Sequence, residues 1–213
     1  MSTEKRTLIM KSKILFALFI LSTSLMAQVG GITGGKLNTP DAATLPSQVF
    51  EFEPSYTMGE AGSFGYRMSA GFGRYEVGVS LDNQAVMQNF GTKISMIENT
   101  LAMAVGVDYD TAFSAFAAGL IYSLAFSEAF TMDAMAAGNN LGDANGMVSF
   151  GYFITNRFQP IVELAFNQDS ELSTVYGFTF ILNPKVLLVV GVEQPLTVEG
   201  DPSVGVAFTM GIE

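Results

Sequence analysis

From Gln48 to the end of the chain, apolar and polar residues alternate with a period of two in nearly every window. That period belongs to β-strands with two chemically different faces, and no convincing amphipathic helix of ten or more residues interrupts it. The alternation predicts twelve strands, over 48–57, 64–72, 75–83, 88–97, 100–109, 113–125, 129–138, 146–155, 158–167, 173–182, 185–194 and 203–212. The Ala-rich stretch "TAFSAFAAGLIYSLAFSEAF" is the main helical competitor. Gly119 and the alternation of Phe116, Ala118, Leu120, Tyr122, Leu124 and Phe126 favour a strand there.

The connections also alternate. The second, fourth, sixth, eighth and tenth carry the short turns "GR", "EN", "SEA", "NR" and "NP", whereas most of the others are longer, such as "MGEAGS", "NQAVM" and "GNNLGDANG". A transmembrane β-barrel has short periplasmic turns and longer external loops, and an even strand count returns both termini to the periplasmic side. The fold expected is therefore an all-β, up-and-down antiparallel transmembrane barrel of about twelve strands. A soluble sandwich is the runner-up, since it too alternates.

The chemistry of the two faces separates these readings. One face carries Phe50, Phe52, Tyr56, Phe64, Tyr66, Val105, Tyr176, Phe178, Val190, Val206 and Phe208, with no charge among its strand positions. The other collects the strand charges among Gly, Ala and Ser: Glu51, Glu53, Arg67, Glu76, Lys93, Asp108, Asp133, Glu163 and Glu193. A Lys or Arg on the lipid face costs about 2–4 kcal/mol at the bilayer midplane, so a membrane barrel must segregate charge this way. Small inward residues suit a confined lumen, and with no Trp in the chain the interfacial aromatics are Phe and Tyr.

Within this pattern "RFQPIVELAFNQ" (157–168) sets a specific problem, because Glu163 stands among Ile161, Val162, Leu164, Ala165 and Phe166. An isolated buried carboxylate costs several kcal/mol, so Glu163 is expected to be paired, protonated or facing water. Alternation turns it away from Val162, Leu164 and Phe166, into the interior.

Composition sharpens the picture. The chain has 213 residues, 49% of them hydrophobic and 14% charged, yet the bulk of it holds no run of the ~18–20 apolar residues that a membrane helix needs. Residues 1–28 differ from the rest: Lys5, Arg6, Lys11 and Lys13 precede "ILFALFIL" and then "STSLMAQ", the layout of a secretory signal peptide cut after Ala27 or Gln28. An uncleaved N-terminal anchor is the alternative, disfavoured because the apolar centre is short. Removing that segment leaves six bases against nineteen acids, a net charge of −13. Nucleic acid is then not an expected partner, since its affinity comes from Lys and Arg on phosphates. Residues 29–46 are a Gly- and Pro-bearing lead-in, a candidate lumen plug, and residues 47–213 form the barrel.

The chain contains no Cys, which excludes disulfides and thiolate metal sites, and no His, the commonest general base and metal ligand. It is not expected to be an enzyme or to carry a cofactor. The acidic loop "GNNLGDANG" lacks EF-hand spacing, and a solvated loop is the expected reading over a Ca²⁺ site.

The C-terminal third, with "GYFITNRFQPIVELAFN", "ILNPKVLLVVGVEQPLT" and "DPSVGVAFTMGIE", resembles the closing strands of the outer-membrane barrels labelled as transporters of the MetA-pathway of phenol degradation. The opening "LPSQVFEFEPSYT" is similar to that family's first strand, while the middle of the chain matches by pattern only. The resemblance implies an outer-membrane barrel of a Gram-negative bacterium passing small solutes, apolar or aromatic ones among them. Two departures stand out: the chain is short for the family, and it ends in Ile212 and Glu213 instead of an aromatic residue. The expected partners are the outer-membrane bilayer, the barrel-assembly machinery, periplasmic chaperones and a small-molecule solute. Two functions remain open at this stage, a channel or transporter and a non-conducting structural or surface-interaction barrel with a salt-bridged lumen. In the second, Arg67 would be neutralised by Glu51, Glu53 and Glu76.

Overall fold

The computed structural model describes residues 37–58, 62–84, 87–109, 114–198 and 200–212. The proposed signal peptide and the first part of the lead-in, residues 1–36, lie outside the described residues. The alternating segments form β1 (Phe50–Met58), β2 (Ser63–Phe72), β3 (Tyr75–Leu81), β4 (Met87–Ile97), β5 (Leu101–Tyr109) and β6 (Ser114–Ala125). They continue as β7 (Phe130–Asn139), β8 (Ala144–Tyr152), β9 (Phe158–Asn167), β10 (Leu172–Asn183), β11 (Val186–Pro195) and β12 (Ser203–Ile212). Each strand pairs antiparallel with its sequence neighbours, and β1 pairs with β12 from Phe50↔Ile212 to Met58↔Val204, closing the barrel. Closure leaves no sheet edge, which is what lets such strands satisfy their backbone groups away from water.

The expected strands are all present, with their ends shifted by up to three residues. The largest differences change the connections. β7 and β8 run into "GNNLGDANG" and leave a four-residue turn, 140–143, while β8 stops at Tyr152 and widens the next connection to 153–157. The contrast between short and long connections is thus weaker than the sequence suggested. The physical reason is local hydrogen bonding. Asn139 Oδ1 accepts from the N–H groups of Leu141 and Asp143, and its Nδ2 donates to Asp143 Oδ2 at 2.8 Å. That turn uses its own Asn and Asp for backbone capping, as such residues do in tight turns. At the opposite rim, Gly73 and Asn99 hold φ of 72° and 52°, left-handed values that Gly and Asn accept at least cost.

The face assignment follows the pattern on β9. Val162, Leu164 and Phe166 are 49%, 41% and 50% exposed, whereas Ile161, Glu163 and Ala165 are 2%, 0% and 6% exposed. Around the outside, Phe50, Phe72, Tyr75, Phe126 and Tyr152 stand exposed near one rim and Phe64, Tyr109 and Phe166 near the other, the distribution of an interfacial aromatic belt. Inside, Ala102, Ala104, Ala117, Ile121, Met135, Ala137, Met147 and Ala165 of β5–β9 pack with Ala42 of the lead-in. The β5–β9 side of the interior is therefore largely filled with apolar side chains, with Asp133, Ser149, Gln159 and Glu163 buried among them.

Val162→Arg places a cation near mid-strand on the outer face. It is expected to lower barrel stability by about 2–4 kcal/mol in lipid vesicles, read from urea unfolding. A comparable loss in detergent-free water-soluble form, with no dependence on lipid, would contradict a lipid-facing Val162.

Candidate functional site

The interior charges are placed by strand register. Glu53 on β1 lies directly opposite Arg67 on β2, and Glu76 on β3 directly opposite Lys93 on β4. Arg67 Nη2 donates to Glu53 Oε1 at 2.6 Å, and Thr209 Oγ1 on β12 donates to Glu53 Oε2 at 2.8 Å. Lys93 Nζ sits 3.1 Å from Glu76 Oε2, with both side chains fully buried. Glu51 lies within electrostatic reach of all four of these groups. The acids expected around Arg67 are thus shared between two bases, because register sets Gly71, not Arg67, opposite Glu76.

The lead-in supplies the next layer. Lys93 Nζ also lies 3.7 Å from Asp41 Oδ1 and donates to the Asp41 carbonyl oxygen at 3.4 Å. Leu45 N–H donates to Glu76 Oε2 at 3.1 Å, and Thr44 Oγ1 to the Gly73 carbonyl at 2.9 Å. The backbone of Leu45 and Pro46 presses against Gly71, where a Cβ would strike both carbonyl oxygens. Ala42 N–H donates to Ser123 Oγ on β6 at 2.8 Å, and that hydroxyl donates to Asp133 Oδ1 on β7 at 2.6 Å.

Glu163 receives the far end of the same segment. The N–H groups of Leu37 and Thr39 both donate to its Oε1 at 3.1 Å, and that of Asn38 to its Oε2 at 2.9 Å. Three donors converging on one carboxylate reproduce the anion nest that successive backbone amides form. Among the described residues Glu163 is paired with no base, and its buried carboxylate is met by backbone N–H dipoles. Such charge-assisted bonds are roughly twice as strong as neutral ones.

The topology shows what this implies. β3 and β9 are six strands apart in either direction round a twelve-stranded barrel, so Glu76 and Glu163 stand on opposite walls. A segment bonded to Glu76 at residue 45, to Ser123 at residue 42 and to Glu163 at residues 37–39 crosses the bore. Beside it lies a cavity of about 290 Å³ lined by inward residues of β1–β3 and β10–β12, including Glu53, Arg67 and Glu193, with Leu37 and Asn38 at its margin. Glu193 accepts from Ser173 Oγ at 3.3 Å and has no ion pair among the described residues. Asp108 is half-buried near the end of β5, opposite Asn89.

Sequence reasoning collected the wall charges and missed the groups that the lead-in contributes. Leu37, Asn38, Thr39 and Leu45 act through backbone N–H, which no side-chain pattern records. Across its two ladders Glu163 faces Ser149 and Val175, so neither neighbouring strand sets a base opposite it.

With this geometry in hand, the barrel can be set beside known structures. It superposes on the KdgM porin in complex with disordered oligogalacturonate with a TM-score of 0.61, at 7% identity over 76% of this chain and 99% of that one. The fold is that of a porin barrel. The NanC porin superposes with a TM-score of 0.57, at 8% identity over 76% of this chain and 98% of that one. Likeness at this identity is a likeness of fold. No protein-family model matches the chain, and no curated protein matches it, so the phenol-degradation resemblance of the C-terminal third carries no family assignment.

Lys93→Met leaves Glu76 fully buried beside Asp41 without its cation, and is expected to cost about 3–5 kcal/mol in urea unfolding. The double variant Lys93→Met/Glu76→Gln should recover most of that loss. Equal stabilities for single variant and parent would mean that the pair is not desolvated.

Proposed function

We propose that the protein is an outer-membrane channel for small solutes that favours cations and neutral polar molecules over anions. The observation that carries this reading is the sign of the interior: seven acids against two bases among the nine inward wall charges, with Glu53, Glu193 and Arg67 lining the 290 Å³ cavity. Rings of acidic side chains in a pore of low dielectric raise the local concentration of cations and repel anions. The porin fold and the lipid-facing exterior support residence in the outer membrane of a Gram-negative bacterium. Export by the signal peptide and insertion by the barrel-assembly machinery with periplasmic chaperones follow from that location.

The solute class is bounded by the same argument. KdgM is described with oligogalacturonate, a polyanion, and the acidic interior here has the wrong sign for such a ligand. Apolar or aromatic solutes, implied by the C-terminal resemblance, enter this reading as neutral molecules and rest on that resemblance alone.

A second reading has its own support. The segment that crosses the bore favours a non-conducting barrel whose role lies in its wall or its loops. Planar-bilayer recording of the refolded chain from residue 29 separates the two. Cation-selective conductance is expected, with a reversal potential displaced toward the cation value in a KCl gradient, and it should rise when residues 29–46 are deleted. Silence of both forms at all voltages would leave the structural barrel. Swelling of liposomes in neutral aromatic, neutral polar and anionic solutes would then order the solute classes.

A further inference from the structure

The seven inward acids are not equal, because most of them are already met by the protein itself. Glu53 is bound by Arg67 and Thr209, Glu76 by Lys93, Asp133 by the Ser123 hydroxyl and Glu163 by three amides of the lead-in. Glu51 lies in the field of both Arg67 and Lys93, and Asp108 stands outside the cavity lining. Glu193 differs from all of these. It lines the cavity of about 290 Å³, and its directly opposed neighbours are Val175 on β10 and Ser203 on β12. It accepts a hydrogen bond from Ser173 Oγ at 3.3 Å and has no ion pair among the described residues.

The wall beside Glu193 leaves room for a solute. Gly191 on β11 is paired with Gly205 on β12, which in turn is paired with Thr57 on β1, and all three line the cavity. A Cβ on Gly205 would meet nothing within 4 Å, whereas one on Gly191 would touch Val175 at 3.4 Å and Leu37 of the lead-in at 3.5 Å. Gly205 therefore borders open space. Along β12, Ser203 faces Glu193, and Thr209 bonds Glu53. Six residues of strand separate these two stations, about 20 Å at ~3.3 Å per residue. The lining between them is small and uncharged, with Gly205 and Ala207 on β12 and Ser55 and Thr57 on β1. One station carries a carboxylate without a base, the other a neutralised pair.

We propose that Glu193 sets the charge selectivity of the channel: it draws small cations into the cavity at Gly205, while the Glu53–Arg67 pair contributes little net charge. The proposal rests on the channel reading given above and names the residue behind its sign. A carboxylate with a base one hydrogen bond away presents a dipole, whose field falls off faster with distance than that of a single charge. Glu193 acts as a single charge, and low-dielectric walls focus its field into the space beside it. For an ion in this cavity, the acids of the wall reduce to one.

Gly205 supplies the reporter, since the chain has no native Cys and a side chain there enters open space. The refolded chain from residue 29 carrying Gly205→Cys, with barrel formation checked by heat-modifiable gel migration, is modified at low salt by two methanethiosulfonates. One is the cationic trimethylammonioethyl reagent and the other its anionic sulfonatoethyl counterpart. The ratio of their rates, each divided by the rate with free 2-mercaptoethanol, reads the sign of the potential in the cavity. Gly205 is the diagonal neighbour of Glu193, about 7–8 Å away. The cation should be favoured, and Glu193→Gln should lower the ratio roughly 7- to 50-fold, as one unit charge at ~7 Å does for reagents of opposite sign at effective dielectric constants of about 40–80. Ser203→Lys, which sets a cation directly opposite Glu193, should act in the same direction and serves if Glu193→Gln does not fold. Asp108→Asn removes an interior acid on β5, six strands from β11 in either direction, and should change the ratio by less than about twofold. The cation-to-anion permeability ratio, read from the reversal potential in a KCl gradient, should fall with Glu193→Gln as well.

A reagent ratio unchanged by Glu193→Gln would overturn the assignment. An equal drop with Asp108→Asn would overturn it too, by making selectivity a property of the total interior charge, and so would a thiol at position 205 that neither reagent reaches. The channel reading fails separately. If bilayers stay silent with and without residues 29–46 while Glu193→Gln still lowers the reagent ratio, Glu193 governs the cavity of a barrel that does not conduct. Cation-selective conductance untouched by Glu193→Gln would keep the channel and remove this residue from its selectivity.

Discussion

The pairing of β1 with β12 is the contact on which everything else depends. A sheet with a free edge exposes a row of unpaired N–H and C=O groups, each of which costs several kcal/mol in lipid. Once Phe50 meets Ile212 and Met58 meets Val204, that edge is gone and two environments exist that no open sheet provides. The outer one accepts Val162, Leu164 and Phe166 as they are. The inner one is enclosed, and each charge placed there must find a partner among the groups enclosed with it.

The interior meets that demand in three ways. Two acid–base pairs, Glu53–Arg67 and Glu76–Lys93, come from directly opposed positions on neighbouring strands. Asp133 is bonded by the Ser123 hydroxyl, which is itself an acceptor for the lead-in. Glu163, with Ser149 and Val175 across its ladders, is met by three amides from a segment more than 120 residues earlier in the chain. The dependence is mutual, because residues 37–39 buried without that carboxylate would leave the same amides unsatisfied. Burying both halves together removes two penalties with one set of hydrogen bonds.

The interior is also divided. The β5–β9 side is packed with Ala, Met and Ile against Ala42, so the space left open lies toward β1–β3 and β10–β12, where Glu53, Arg67 and Glu193 face it. A solute crossing the barrel would meet acidic side chains on one side and the crossing segment on the other.

The sequence by itself determined the strands, their number and the two faces, because a period of two is a local property that each segment displays without knowing its neighbours. Gln159, Ile161, Glu163 and Ala165 could be assigned inward from the outward set of Val162, Leu164 and Phe166 alone. Turn lengths were less legible: Asn139 and Asp143 look like loop residues, yet they cap a tight turn, and only the pairing of β7 with β8 shows it. The partners of the interior charges were decided by tertiary structure. Register chose Glu53 over Glu76 as the residue opposite Arg67, and a shift of one position would have turned these side chains outward. The segment across the bore lay further from view, since its grip on Glu163 is made by backbone N–H groups that every residue but proline possesses. Sequence patterns record side chains; the closed barrel decided which backbone would be enclosed with that carboxylate.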